Sequence, residues 1–223
     1  MFDQLIVETN RYAMQTISKY ECPTPFSLPC RWKNVTHTDM VGFLVILLHM
    51  GVVKKPCIAD YWSTDIFIGT SFAPKIMPRA RFQDILSQLH VANNEDDLPA
   101  QHQDHDPLFK INFVIDHLTT KFQQLYTPSR EICIDEAICP FRGRLKFKVY
   151  IRNKPHKWGI KLYELCESGS SYVYNFEVYA MKKGLSNRPT DVCLHLIEPL
   201  INRGHWLVIM GIIIVKLLIF PSV

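Results

Sequence analysis

The sequence predicts an α+β fold in which a helical half precedes a sheet half. Apolar residues recur at three- and four-residue steps as far as Leu125, and the pattern changes to alternation after Pro128. The chain has 223 residues, of which 48% are hydrophobic, so it is long enough to bury a substantial core. This composition excludes a disordered polypeptide and favours one large domain or two small ones.

Four helices are predicted in the first half, each bounded by a cap or by a break in the chain. They cover residues 2–20, 36–50, 78–89 and 106–127. The second begins with the capping box Thr36–Asp39 and is predicted to end at Gly51. The fourth is predicted to begin at the capping residue Asp106, which is followed by Pro107.

Strands dominate the second half, and one helix interrupts them. The predicted strands are Ile132–Ile134, Leu145–Ile151, Ile160–Cys166 and Tyr172–Tyr179, followed by a helix at Pro189–Arg203 and an apolar strand from Trp206. The opening of an RNase H-like α/β domain has this order of elements, and several other α+β folds fit the order equally well.

The cysteines and the ends of the chain bear on the cellular compartment. The seven cysteines are odd in number and show no CxxC spacing, which favours reduced structural thiols and an intracellular protein. Residues 1–20 lack the apolar core of a signal peptide. The apolar run Leu207–Phe220 contains Lys216 and is shorter than the roughly 20 residues that a bilayer requires. No membrane association is therefore predicted.

The positive charge is concentrated in residues 142–161. The net charge of the chain is only +4, yet this segment contains eight cationic residues and no Asp or Glu. The eight are Arg142, Arg144, Lys146, Lys148, Arg152, Lys154, Lys157 and Lys161. Alternation predicts a basic strip on one strand face that includes Tyr150, and Trp158 adds a ring for base stacking. Such a strip suits a phosphate backbone, and a lysine-protected edge strand explains it equally well.

Asp135 is the candidate metal ligand. It follows the apolar strand Ile132–Ile134 and is expected at the polar end of that strand. Transfer or hydrolysis at a phosphodiester commonly uses two divalent ions about 3.5–4 Å apart, and Mg²⁺ prefers carboxylate oxygens. From spacing alone, the simpler alternative is that Asp135 and Glu136 cap the strand or pair with Arg142 or Arg144.

Other catalytic motifs are missing from the sequence. It contains no phosphate-binding glycine loop and no Gly-x-Ser-x-Gly turn, which excludes the corresponding nucleotide-triphosphate and serine-hydrolase functions. Its histidines have neither an HExxH spacing nor an accompanying Cys pair, so they do not indicate a zinc site.

A series of short motifs runs through most of the chain. The most specific are Ile134-Asp-Glu136, Pro140-Phe-Arg-Gly-Arg144, Asn153-Lys-Pro155 and Gly159-Ile-Lys161. They are preceded by Thr9-Asn-Arg-Tyr12, Met50–Pro56, Asp60-Tyr-Trp-Ser63 and Arg79-Ala-Arg-Phe82. In this order the motifs resemble those of the piggyBac transposases, and more closely those of the domesticated piggyBac-derived proteins of animal genomes.

The resemblance implies a domain organisation and a metal site. Residues 1–130 would form a helical dimerisation and DNA-binding region, and residues 131–208 the N-terminal part of an RNase H-like transposase domain. Asp135 would be the first of three aspartates that hold Mg²⁺ and cut and rejoin DNA ends. The second is expected directly after Gly204–Val208, where this chain reads Ile-Met-Gly-Ile instead. Residues 209–223 are therefore predicted to be a divergent apolar tail, with a frameshift or mis-splice as the hypothesis.

The predicted function follows from this resemblance. We expect a truncated, catalytically inactive piggyBac-derived protein that retains salt-sensitive, sequence-nonspecific DNA binding, and nuclear localisation is expected from the family. No cofactor is expected, since Asp135 alone would hold Mg²⁺ weakly. One alternative is a non-enzymatic protein-interaction module derived from the helical region, which would form a homodimer or dock another partner. Another is an active transposase or nuclease completed by a second chain.

Overall fold

A computed structural model describes residues 1–21, 24–25, 27–152, 157–180, 189–209 and 213–216. The chain divides into two units, Met1–Asp97 and Leu98–Val223. This boundary lies earlier than the predicted one after residue 130, because the helix Asn112–Leu125 packs against a strand of the sheet. The predicted α+β fold class is confirmed.

The first unit is helical in its described residues. Its α-helices are α1 Phe2–Ile17, α2 Leu28–Arg31, α3 His37–Val52, α4 Phe72–Ile76 and α5 Arg79–Gln88, and 3-10 helices lie at Ile58–Trp62 and Asn94–Asp96. Phe43 and Ile46 of α3 pack with Phe82 and Ile85 of α5, and all four side chains are fully buried. The predicted helices at residues 2–20 and 78–89 are confirmed as α1 and α5, with bounds that differ by a few residues.

Helix α3 begins as predicted and ends later. The Thr36 hydroxyl accepts a hydrogen bond from the Asp39 N–H at 3.2 Å, and the Asp39 carboxylate accepts one from the Thr36 N–H at 3.0 Å. The predicted end at Gly51 is wrong, because Gly51 does not have the positive φ of a left-handed cap. The helix continues to Val52, and the N–H of Val53 still donates to the carbonyl of His49.

The second unit combines a mixed sheet with helices. Its helices are α6 Asn112–Leu125, α7 Pro189–Ile197 and a 3-10 helix at Glu198–Leu200, and its strands are β1 Glu131–Pro140, β2 Val149–Tyr150, β3 Trp158–Glu167, β4 Val173–Val178, β5 Trp206–Ile209 and β6 Ile213–Lys216. The strand order is β2-β3-β1-β5-β6, and β4 also pairs with β3. Strand β1 is antiparallel to β3 and parallel to β5.

The paired strands β1 and β3 have two different faces. On one, which we name the core face, Ile134 and Leu165 are fully buried and pack with Leu196 of α7. Alternation turns the intervening side chains to the other side, which we name the open face. The open face carries Cys133 and Asp135 from β1 and Glu164 and Cys166 from β3. Asp135 is exposed, and the other three are half-buried.

Helix α6 begins later than predicted. The sequence placed its start at Asp106, but residues 107–111 form turns and the helix begins at Asn112. The Asp106 carboxylate accepts hydrogen bonds from the Leu108 N–H at 2.9 Å and from the Asn112 side chain at 2.6 Å. An aspartate that bonds to its own following backbone stabilises a turn in competition with a helix.

The last predicted helix is shorter than expected, and the chain leaves the α-helix at Ile197. Pro199 lacks a backbone N–H, and the chain continues as a short 3-10 helix there. Of the predicted tail, residues 210–212 and 217–223 lie outside the described residues, while Ile213–Lys216 forms β6 and pairs antiparallel with β5. Among the described helices, none has both the length and the apolar character needed to cross a membrane.

Candidate carboxylate site and nucleic-acid interface

Asp135 lies within β1, so its predicted position at a strand end is wrong. The strand continues to Pro140 because β3 pairs with it from Ile132 onward. On its other side, the described residues of β5 pair with residues 131–134, the last of which precedes Asp135. The Asp135 carboxylate is exposed and accepts a hydrogen bond from the Glu136 N–H at 2.7 Å.

Glu164 is the acidic residue that sequence reasoning missed. It lies directly opposite Asp135 in the antiparallel register. Its burial raises the pKa of Glu164, and the negative charge of Asp135 raises it further. The two residues are far apart in the sequence, so this carboxylate pair is recognised only from the strand register.

The carboxylate pair fits a divalent cation only in part. Carboxylate oxygens are suitable ligands for Mg²⁺, and Asp135 and Glu164 lie on neighbouring strands. Within the described part of the chain, however, no group of three His, Cys, Asp or Glu side chains could hold a metal ion. A two-metal centre needs ligands for both ions. Asp135 and Glu164 therefore do not supply a two-metal centre by themselves.

Glu136 pairs with a cation other than the two predicted arginines. The expected partners were Arg142 and Arg144, but the Glu136 carboxylate forms an ion pair with Lys161. The Lys161 ammonium also lies 4.5 Å from the centre of the Tyr163 ring. Burial disfavours the charged form of Lys161, but hydrogen bonds to Glu136 and Tyr163 outweigh this and raise its pKa. Lys161 is thus held within the protein, which argues against its predicted role as a phosphate contact.

Most of the other predicted basic residues are exposed. These are Arg142, Arg144, Lys146, Arg152 and Lys157, and none forms an ion pair with a described carboxylate. Lys148 is half-buried, and its ammonium donates to the carbonyl of Gly143 at 2.9 Å. Lys154 lies outside the described residues. The segment therefore presents unpaired positive charge, although not from every predicted position.

The predicted basic strand is not formed as a continuous element. Of the predicted strand Leu145–Ile151, Val149 and Tyr150 form β2 and the Ile151 N–H donates to the Lys157 carbonyl at 2.8 Å. The strand does not extend further back, because Phe147 turns inward and is buried against Leu108 and Val178. A strip of cations on one strand face is therefore a wrong prediction.

An exposed aromatic pair lies where β2 meets β3. Tyr150 and Trp158 are directly opposite each other, and their ring centres are 4.8 Å apart. Each residue is about half exposed, at 51% and 50%. The Lys148 ammonium lies 5.1 Å from the centre of the Trp158 ring. The structure thus joins a stacking surface to the basic segment.

A cavity of about 390 Å³ lies elsewhere in the second unit, among α6, β4 and α7. Its lining includes the carboxylates of Asp116, Glu177 and Glu198. Glu177 bonds to the ring of His195 at 3.0 Å. Carboxylates repel phosphates, so this cavity is a poor site for nucleic acid.

Comparisons of the sequence with known proteins identify relatives of this chain. The family model described as Transposase IS4 matches residues 1–216. The human PiggyBac transposable element-derived protein 3 is 28% identical over 130 residues, which cover 58% of this chain and 21% of that protein. The human PiggyBac transposable element-derived protein 5 is 25% identical over 134 residues, which cover 60% of this chain and 23% of that protein. The matches thus span less than a quarter of each relative's length.

A solved structure has a similar fold. The cryo-EM structure of the piggyBac transposase synaptic complex with hairpin DNA matches 89% of this chain and 40% of that chain, with a TM-score of 0.73 and 24% identity. The helices and the mixed sheet of the present chain fit that fold, including part of an RNase H-like domain. Because the family model covers nearly the whole chain, the protein belongs to the Transposase IS4 family and is of the piggyBac type.

Proposed function

We propose that this protein binds DNA through its basic segment, by charge and shape rather than by reading bases. The observation that carries the proposal is the exposed Tyr150–Trp158 pair within a segment whose exposed cations have no described acidic partner. Lysine and arginine attract phosphates and release counterions, and an exposed aromatic ring stacks on any base. The solved piggyBac transposase, which is a complex with hairpin DNA, adds support.

The affinity should depend strongly on salt. Each neutralised phosphate contributes about −0.9 to the slope of log affinity against log salt concentration. If the exposed cations of the segment, Arg142, Arg144, Lys146, Arg152 and Lys157, each contact one phosphate, a slope of roughly −4 to −5 is expected for duplex DNA. Fluorescence anisotropy with a labelled hairpin duplex at several salt concentrations measures this slope. An affinity that does not change with salt would contradict the proposal.

Two variants test the two parts of the surface. Replacing Arg142, Arg144 and Lys146 together by Gln should weaken binding and reduce the salt slope by about 3. Trp158→Ala should weaken binding to single-stranded or hairpin DNA by about 5- to 150-fold, the equivalent of one base stack. Lys161→Gln is the matched control, because its ammonium is held by Glu136 and should contribute little to binding. Unchanged affinity in the triple variant would overturn the proposal.

The same proposal includes the absence of DNA cleavage by this chain alone. Asp135 and Glu164 are two carboxylates where a two-metal reaction needs a larger set. The purified chain should leave a supercoiled plasmid intact with Mg²⁺ or Mn²⁺. Nicking that Asp135→Asn abolishes would show that the site is functional, with or without a second chain.

A second candidate function is protein interaction through the helical unit, including a homodimer. It is favoured by apolar side chains that remain strongly exposed there, notably Val52 at 84%, Ile66 at 89% and Phe67 at 94%. Sedimentation equilibrium should then show self-association that the double change Ile66→Ser and Phe67→Ser weakens. If the protein is monomeric at all concentrations tested, the homodimer is ruled out.

Nuclear residence completes the proposal, since the expected ligand is DNA. Microscopy of a fluorescent fusion in cells that express the related piggyBac-derived proteins tests it. Exclusion of the fusion from the nucleus would contradict nuclear residence, even if the purified protein binds DNA in solution.

A further inference from the structure

We propose that Cys133 and Cys166 form an intrachain disulfide across β1 and β3, by exchange with a low-molecular-weight disulfide such as oxidised glutathione. The open face would thus contain a redox modification site beside the carboxylate pair. The thiols are free in the structure, so the proposal concerns a second covalent state of the same fold.

The register brings the two thiols together. Cys133 lies directly opposite Cys166, so both side chains leave the same face of the sheet. The Ser168 N–H donates to the Glu131 carbonyl at 2.9 Å, just beyond the paired residues Ile132 and Glu167. This bond makes Glu131–Ser168 a hydrogen-bonded pair. Hydrogen-bonded and non-hydrogen-bonded pairs alternate along an antiparallel ladder, so Ile132–Glu167 is non-hydrogen-bonded and Cys133–Cys166 is hydrogen-bonded.

The expected backbone spacing suits a disulfide. The Cα atoms of a hydrogen-bonded antiparallel pair lie about 5.5 Å apart. Disulfides span Cα separations of about 4.4–6.8 Å. The pairing of β3 with β4 also shifts register between Leu165 and Cys166, and such an irregularity lets a strand bend locally. The Cβ atoms of such a pair lie about 4.5–5.5 Å apart, whereas a disulfide spans about 3.5–4.5 Å, so the bond requires β1 and β3 to approach each other by roughly 1 Å at this point.

The other thiols of the second unit are placed differently. Cys139 lies on the same strand and is exposed, but the residue opposite it is Ile160. Cys193 belongs to α7 and packs against the core face. Both thiols of the proposed pair are half-buried, which leaves a path for a small disulfide reagent.

The reaction balances as two successive exchanges. One protein thiolate attacks a sulfur of oxidised glutathione, forms a mixed disulfide and releases one glutathione thiol. The second protein thiolate then attacks the protein sulfur of that mixed disulfide and releases the second glutathione thiol. Overall the two cysteines lose two protons and two electrons, and oxidised glutathione gains them as two reduced molecules.

Peptide mapping tests the proposal on the full chain. The protein is equilibrated with mixtures of oxidised and reduced glutathione, quenched with acid, alkylated and digested with trypsin. We expect a cross-linked pair of peptides, residues 131–142 with residues 162–182, lighter than their sum by two hydrogen atoms. The cross-link should disappear on reduction.

Matched variants identify the cysteine, because the first peptide contains both Cys133 and Cys139. Cys139→Ser should keep the cross-link, and Cys133→Ser should abolish it. Cys166→Ser should abolish it as well, and far-ultraviolet circular dichroism shows whether each variant is folded. The proposal is overturned if folded wild-type protein forms only mixed disulfides with glutathione at every ratio. It is equally overturned if the cross-link persists in Cys133→Ser.

Discussion

The two faces of the β1–β3 ladder share the same strands and differ in almost every physical respect. On the core face, Ile134 and Leu165 are fully buried against α7. On the open face, their sequence neighbours Asp135 and Glu164 form a half-exposed carboxylate pair. On each strand, therefore, a buried apolar side chain is followed or preceded by a carboxylate on the opposite face of the sheet. We expect side chains of the core face to contribute most to the free energy of unfolding, and side chains of the open face to bind cations or react as thiols.

The largest expected effect is the loss of packing on the core face. Leu165→Ala should lower the free energy of unfolding by about 2–5 kcal/mol, because it leaves a cavity at a fully buried position. Leu162→Ala is the matched control on the same strand, since Leu162 lies on the opposite face and is only partly buried. Urea denaturation measures both changes. Equal losses would show that the faces do not differ in their contribution to stability.

A smaller effect is expected at Glu167, a buried carboxylate at the end of β3. Hydrogen bonds from Ser170, from the Ser129 N–H at 2.6 Å and from the Tyr126 hydroxyl at 2.7 Å lower the pKa of Glu167 to about 2. A lowered pKa means that the carboxylate stabilises the fold above its unfolded pKa of 4.5. Stability should therefore fall as the pH decreases from 4.5 towards 2.

The variant Glu167→Gln checks this assignment. It should be less stable than the wild type at neutral pH and should lose less stability on acidification, because its amide does not titrate. Thermal unfolding at a series of pH values gives both curves. If the two curves stay parallel below pH 4.5, the acid sensitivity arises from another group.

The smallest effect is expected on the open face and has the opposite sign. The pKa of Glu164 is raised by burial and by Asp135, so its ionisation opposes folding as the pH rises above 4.5. Glu164→Gln should therefore increase stability at neutral pH, by about 0.5 kcal/mol or less for a half-exposed site. Asp135→Asn should lower the pKa of Glu164, which a nuclear magnetic resonance titration measures. An unchanged pKa would mean that burial alone causes the shift.

Local signals predicted the elements whose ends depend on local contacts. The capping box Thr36–Asp39 marked the start of α3, and the helical periodicity of residues 2–20 marked α1. Where the end of an element depends on residues distant in the sequence, the local pattern did not predict it. The polar pair Asp135–Glu136 indicated the end of a strand, yet β1 continues because β3 pairs with it and Lys161 neutralises Glu136.

The candidate site was predictable to a similar extent. The exposure of Arg142 and Arg144 and the accessible ring of Trp158 follow from composition, which is a local property. Glu164 and Cys166 could not be assigned to the site, because their relation to Asp135 and Cys133 depends on a register between distant segments. Likewise, the burial of Phe147 depends on Leu108, and it interrupts the alternation that the basic strand required.

The central position of β1 has a consequence for the order of folding. Its antiparallel partner β3 follows after a short stretch of chain, whereas its parallel partner β5 follows only after β3, β4 and α7. Closing the longer loop costs more conformational entropy and slows pairing. We therefore expect the antiparallel pair to form first and β5 to join last. Until then one edge of β1 remains unpaired, and hydrogen exchange during refolding should protect the Cys166 N–H, which faces β1, before the Trp206 N–H, which donates to the Arg130 carbonyl.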